Sequence, residues 1–209
     1  MEEGGIKVDK QKLVRIFDKQ ANQYDRRTEN PAQSRWRQQL LSHARGHVLE
    51  LAVGAGANFP YYPLGVHVTA VDFSPAMLEK ARRRATHLHV NAQFVCTDME
   101  DADFAEHSFD TVVSTLSFCS YERPLELMGK LRRWCKPDGE ILLLEHGISS
   151  RRLVAALQKT LDPLLYRAYG CHHTREIRQL AEQAGLHVIA AESYWMDMVQ
   201  LLRAKPGSA

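Results

Sequence analysis

The strongest constraint on the fold is a rhythm that begins at His47, where short runs rich in Val, Ile and Leu alternate with stretches of helical period over short connections. Runs at 47–51, 66–71, 90–96, 109–115 and 140–145 read as buried strands. Between them, Ser74 and Pro75 supply a cap and a first-turn proline for a helix through His87. Residues 124–135 read as a further helix, closed by a Lys136-Pro137-Asp138-Gly139 turn. The tail adds a helix over 174–184, a stop at Gly185, and two last strands near 186–193 and 195–204. Such an alternation demands parallel strands joined by right-handed crossovers, with helices on both faces, and so predicts a doubly wound α/β sheet.

Ahead of this rhythm, Ile6, Leu13, Phe17, Ala21 and Tyr24 fall at helical spacings within a charged segment over 6–27. A second helix over 33–44 carries Trp36, Leu40 and Leu41 and ends near Gly46. The chain therefore divides into an N-terminal helical cap, 1–45, and one α/β domain, 46–209, interrupted by a helical insert at about 149–170. Its 209 residues and 44% hydrophobic content suit a single core. A formal charge of +2, from 27 Lys and Arg against 25 Asp and Glu, gives no global field of the kind nucleic-acid binders carry. Cys96, Cys119, Cys135 and Cys171 never form a C-x-x-C pair, so neither a metal site nor a disulfide framework is expected, and a reduced compartment fits. With no signal-peptide core and no run of ~20 apolar residues, the expectation is a cytoplasmic monomer, soluble or peripheral at a membrane.

In an open parallel sheet, ligands sit beyond the carboxyl ends of the strands, where strand order reverses. Residues 48–58 read VLELAVGAGAN, with Gly54 and Gly56 able to turn tightly and let a ligand approach the main chain. Asp72 closes the second strand 18 residues after Gly54, near the offset at which a carboxylate accepts hydrogen bonds from ribose hydroxyls. It reads either in that role or as a helix-capping acid beside Ser74. A dinucleotide would want a third glycine near its pyrophosphate, and Phe59 occupies that place. The pattern favours an adenosine-containing cofactor without phosphates.

The segments VLELAVGAGANFPYY, VTAVDFSPAMLEKARRRA, FVCTDMEDADFAEHSFDTVVSTLSFCS and KLRRWCKPDGEILLLEH together resemble the successive motifs of class I S-adenosylmethionine-dependent methyltransferases. They span 48–146, and IFDKQANQYD at 16–25 resembles the opening helix of the ubiquinone and menaquinone methyltransferases. The resemblance implies a Rossmann-like, seven-stranded sheet, mostly parallel with an antiparallel last strand, and S-adenosyl-L-methionine as cofactor. It implies that Glu50, Gly54 and Gly56 surround the methionine part and that Asp72 and Phe73 hold and flank the ribose and adenine. By the same resemblance Met77 packs near adenine, Asp98 and Met99 meet its amino edge, Thr115 and Leu116 line the exit of the fourth strand, and Tyr24 closes over the cofactor. Ala52 stands where many relatives have a first glycine, so the loop is expected to be slightly less open there.

A sulfonium methyl is already activated, so transfer needs in-line alignment, a dry site and at most one base. His146, directly after the fifth strand, and His172, beyond the insert, are the candidate bases alongside Tyr24. His146 equally reads as a hydrogen-bonded structural residue, and His173 as preparing a cap at Thr174. Cys171 reads as a packed apolar residue. LLLEHGISS, the insert ending DPLLYRAYGC, and HHTREIRQLAEQAGL resemble the branch of bacterial phospholipid N-methyltransferases and membrane-associated methyltransferases of lipids or alkyl thiols. Within the insert, Leu153, Leu157, Leu161, Leu164, Leu165 and Ala168 can face one way and Arg151, Arg152, Lys159 and Arg167 another. With Lys7, Lys10, Lys12 and Arg15 near the N-terminus, these suit transient contact with an anionic membrane, or the insert serves as a lid over the site. Four functions follow: N-methylation of phosphatidylethanolamine and its partly methylated forms, thiol S-methylation, quinone C-methylation, or a cofactor-binding regulatory module without chemistry. No N/D-P-P-Y tetrapeptide follows the fourth strand, where STLSFCSYE stands, so a nucleic-acid acceptor is not expected.

Overall fold

The computed structural model describes residues 30–207 together with Val14, Arg15 and Asp18, which are helical. Most of the N-terminal segment over 6–27, Tyr24 included, lies outside the described residues. Helix α1 (Pro31–Leu41) opens on Asn30, whose side chain accepts the Ala32 N–H at 2.9 Å. There follow β1 (His47–Leu51), a single 3₁₀ turn (Phe59–Tyr61), β2 (His67–Asp72), α2 (Pro75–Leu88), β3 (Ala92–Cys96) and β4 (Phe109–Thr115). The chain continues through α3 (Pro124–Trp134), β5 (Cys135–His146), α4 (Arg152–Tyr169), α5 (Ile177–Gln183), β6 (Leu186–Tyr194) and β7 (Val199–Pro206).

The seven strands form one sheet in the order β3-β2-β1-β4-β5-β7-β6. All neighbours from β3 to β5 pair in parallel, and β7 runs antiparallel between β5 and β6. Order reverses between β1 and β4, which places the switch point there. Because successive side chains of a strand point to opposite faces, each central strand feeds two cores. Ile141 and Leu143 of β5 join Leu49, Val112, Trp134 of α3 and Ile177 of α5 on one face. Leu142 and Leu144 join Val48, Val113, Trp36 and Leu40 of α1 and Leu78 of α2 on the other. Near-continuous apolar strands are thus a requirement of a sheet covered twice.

Several boundaries differ from the sequence reading: α1 spans Pro31–Leu41 and not 33–44, and β3 starts at Ala92 and not at Val90. The 136–139 turn survives only as a wide bulge inside β5: Phe109 pairs with Cys135, and the next pair is Thr111 with Glu140. The helix expected from Thr174 begins at Ile177, because the preceding segment is held in a loop, with Arg175 accepting Ile148 N–H at 3.1 Å. The last strand starts at Val199 and not at Trp195, since Trp195, Met196 and Asp197 all take positive φ in a tight turn.

Candidate active site

At the end of β1 the chain turns at once. Ala52 sits at φ +46, Gly54 at +54 and Gly56 at +78. A Cβ on Gly56 would meet the Phe59 ring at 2.6 Å, whereas one on Gly54 would meet only Ala52 O at 4.0 Å. Gly56 is therefore required by packing, and Gly54 leaves a bare main-chain surface facing open space. Phe59, buried at 2% exposure, fills the position a dinucleotide loop needs empty.

Asp72 clamps this loop to β2. Its Oδ2 accepts the Gly54 N–H at 2.9 Å and its Oδ1 the Ser74 N–H at 2.8 Å. Burial raises its pKa, and the Ser74 and Gly54 bonds pull the other way. A carboxylate offers about four lone-pair sites, so both oxygens keep capacity for hydroxyl donors. The Ser74 hydroxyl accepts the Met77 N–H at 3.1 Å, capping α2, and donates to Asp18 at 2.5 Å.

A buried network braces the loop from α1. Arg37 Nη1 donates to Asn58 Oδ1 at 2.5 Å and to Thr115 Oγ1 at 2.8 Å. Asn58 Nδ2 donates to Glu50 Oε1 at 2.9 Å, and Tyr62 OH to Glu50 Oε2 at 2.9 Å. Burial pushes the Glu50 carboxyl up to about 7, against the Tyr62 and Asn58 bonds. Across the switch point, Leu116 is left-handed at φ +57. The loop it starts is held from below by Glu145, which accepts Ser114 Oγ–H at 2.5 Å, Ser117 N–H at 2.9 Å and Phe118 N–H at 3.1 Å.

These loops enclose a cavity at the switch point. Ala52, Gly54, Asp72, Phe73, Met77, Thr115 and Leu116, all singled out from the sequence, line it. Glu50 lies beneath it, tied to Asn58, and Gly56 lies behind, against Phe59. Asp98 and Met99 are not among the residues that line it. Asp98 Oδ1 accepts Glu100 N–H at 2.9 Å in the turn after β3, and Met99 is buried in the core beneath α3. Arg37, Asn58, Ser117, Ser120 and Cys171 also line the cavity and were not read as site residues. The one sequence signal for Arg37 is a cation set among Trp36, Leu40 and Leu41 on the buried face of α1.

Residues 49–143 match the family described as a methyltransferase domain. The thiol S-methyltransferase TMT1B of Rattus norvegicus is 34% identical over 150 residues, 69% of this chain and 62% of the rat protein. The phosphatidylethanolamine N-methyltransferase of Cereibacter sphaeroides is 29% identical over 146 residues, 69% of this chain and 71% of that one. This chain carries a class I S-adenosylmethionine-dependent methyltransferase domain. The chain thus spans under two thirds of the rat relative's length. The fold of the methyltransferase domain also superposes on the structure of geranyl diphosphate methyltransferase in complex with its cofactor, with a TM-score of 0.70 at 13% identity, covering 84% of each chain. S-adenosylmethionine is the cofactor of such a domain. The cavity of the methyltransferase fits a group with a ribose diol and no phosphates, given a carboxylate with spare lone pairs and Phe59 in place of a third glycine.

The histidines stand around the carboxyl end of β5. His146 packs its ring 5.5 Å from that of His173, and burial, then the neighbouring His173, lowers its pKa. Its neutral form is thereby favoured. His172 stacks on Tyr166, with ring centroids 4.0 Å apart and 13° between planes. Its Nδ1–H donates to Asp162 Oδ2 at 2.6 Å, and Asp162 Oδ1 accepts the His173 N–H at 2.8 Å. The group that reaches the cavity wall from this segment is Cys171.

Proposed function

We propose that this methyltransferase N-methylates the amine headgroup of a phospholipid, phosphatidylethanolamine and its partly methylated forms, while seated on an anionic membrane surface. The observation that carries this reading is the outward face of α4. Leu153 is 88% exposed, and Leu157, Leu161 and Leu164 follow it at helical spacing, all exposed. Arg151, Arg152, Lys159 and Arg167 are exposed around them, and the only acid of α4, Asp162, turns inward to His172. Apolar side chains beside cations, with no exposed acid, suit an interface where each cation near the surface contributes ~1 kcal/mol and each leucine sheds water. Among the described residues no helix is long and apolar enough to cross a membrane. α4 stops at Gly170, φ +72, and the next residue lines the cavity. A lipid lying under α4 thereby brings its headgroup to the cofactor.

Within the cavity, Asp72 would accept the ribose hydroxyls, Phe73 and Met77 would flank adenine, and the bare Gly54 main chain with Arg37 and Asn58 would face the methionine part. The cofactor supplies an electrophilic methyl on a positively charged sulfur. An ammonium headgroup must first lose a proton, and His172, oriented by Asp162 and Tyr166, is the acceptor we assign; His146 is the second. Thiol S-methylation is the competing reading, favoured by the higher identity to the rat enzyme. Incubation with methyl-labelled cofactor and either phosphatidylethanolamine vesicles or a soluble alkyl thiol separates the two. Labelled lipid is the expected result; labelled thiol with no labelled lipid would overturn it.

A further inference from the structure

Two of the cysteines meet at the wall of the cavity. Cys119 lies in the loop after β4, 1% exposed, and Cys171 follows the α4 stop, half-buried and lining the cavity. The two stretches of chain are fastened side by side, since His172 N–H donates to the Cys119 carbonyl at 2.7 Å. The Cys119 thiol donates to the Leu116 carbonyl at 3.8 Å within its own loop, and the two sulfurs are near enough for each to influence the titration of the other. Disulfides need neighbouring backbones, and the His172–Cys119 main-chain bond supplies them.

We propose that Cys119 and Cys171 are a thiol–disulfide site, and that their oxidation by a small-molecule disulfide ties the end of α4 to the loop after β4 and shuts the cavity. The direction of attack follows from access: Cys119 is 1% exposed, whereas Cys171 is half-buried and lines the cavity. Cys171, partly accessible through the cavity, is therefore the attacking thiolate and Cys119 the resolving thiol. The Cys171 sulfur attacks the external disulfide, forming a mixed disulfide and releasing one small thiolate, which takes up a proton. Cys119 then gives its proton to water and attacks the Cys171 sulfur, releasing the second small thiol. Two protein thiols are oxidised to one disulfide, and one small disulfide is reduced to two thiols. The consequence is geometric. Leu116, Ser117 and Ser120 of one stretch and Cys171 of the other all line the cavity, and a covalent tie keeps the two stretches from parting to admit the cofactor.

The other two cysteines serve as internal controls. Cys96 is exposed, and Cys135 is buried with its thiol pushed up to about 12 by that burial. The full chain is incubated with excess oxidised glutathione, unfolded without reductant, and alkylated. The expected result is alkylation of Cys135 alone or with Cys96, which can carry glutathione, together with a peptide cross-linking Cys119 to Cys171. Calorimetry should show cofactor affinity down by about tenfold or more, recovered with dithiothreitol. Cys119→Ser should stop at a glutathione adduct on Cys171, with no cross-linked peptide. In the unsubstituted chain, free Cys119, a stable glutathione adduct on Cys171 without the cross-link, or a cross-link that leaves cofactor affinity unchanged would each overturn the proposal. If that variant fails to fold, the peptide map of the unsubstituted chain still decides. Cofactor binding is the readout, so the result stands apart from which acceptor is methylated.

Discussion

Replacing Asp72 by Asn separates a carboxylate that grips a ligand from one that merely braces a loop. The substitution keeps the shape of the side chain but turns one oxygen into an NH₂ group. Both carboxylate oxygens now accept main-chain N–H groups, from Gly54 at 2.9 Å and Ser74 at 2.8 Å. Asn can serve only one of them, and the other N–H faces a donor. A buried donor without a partner costs about 1–3 kcal/mol, which for a chain of this size lowers Tm by about 2–12 °C. On the ligand side, one of the two ribose hydroxyls loses an ionised acceptor. Hydrogen bonds to charged groups contribute about 1.5–3 kcal/mol, so Kd for S-adenosylmethionine should rise about 10- to 150-fold. Scanning calorimetry gives the first quantity and titration calorimetry, at a temperature where the variant is fully folded, the second. A lower Tm with Kd unchanged within about twofold would show that Asp72 is only the brace between β2 and the glycine loop, and the assignment of the cavity would fall with it.

Ala52→Gly should raise Tm by about 1–4 °C, because a left-handed alanine at φ +46 costs about 1–2 kcal/mol and the added chain entropy of glycine returns part of that; a fall in Tm refutes the strain. Glu145, with its carboxyl pushed up to about 7 by burial from 4.5, holds a proton in the folded chain that the unfolded chain releases. Stability should therefore decline as pH rises from about 4.5 to 7, by about 3 kcal/mol for this group. Glu145→Gln, whose amide can donate to Ser114 and accept from Ser117 and Phe118, should remove that share in urea titrations across the window; an unchanged slope would show Glu145 ionised throughout. Leu153→Ser with Leu157→Ser should weaken sedimentation with anionic vesicles by about tenfold or more and leave cofactor affinity unaltered, whereas undiminished sedimentation would remove α4 from the interface.

Sheet and cofactor loop were legible because their signals are local. β1 and β4 begin and end at the residues their apolar runs predict, and the Gly54–Asp72 pair is carried by spacing alone. What was not legible depends on contacts between distant residues. Arg37 reaches the cavity only because α1 lies over the carboxyl end of β4, where Thr115 accepts its hydrogen bond 78 positions away. Cys171 reaches it because α4 ends at the loop after β4. Met99 carries the family pattern for the adenine edge, yet the turn after β3 points it into the core with Phe109 and Trp134. The 136–139 turn was read as an end of structure because sequence shows the turn residues and not the ladder that resumes on both sides of it.

The cavity exists because two parallel neighbours end together and then turn left. Leu51 pairs with Ser114 across the β1–β4 ladder, and just beyond those positions Ala52 and Leu116 both adopt positive φ. For side chains with a Cβ this conformation is costly, so neither strand end would diverge on its own. The main chain is held there by groups on opposite faces of the sheet: Arg37, Asn58 and Glu50 on the α1 side, Glu145 with Ser117 and Phe118 on the α3 side. Each brace centres on a carboxyl pushed up to about 7 by burial. A crevice with strained lips and buried acids beneath them is expensive for folding and useful for binding, since main-chain groups that cannot relax inward stay exposed to the cofactor. Relaxing one lip with Ala52→Gly should therefore stabilise the chain and weaken cofactor binding together; gains in both would show that the strain has no part in shaping the cavity.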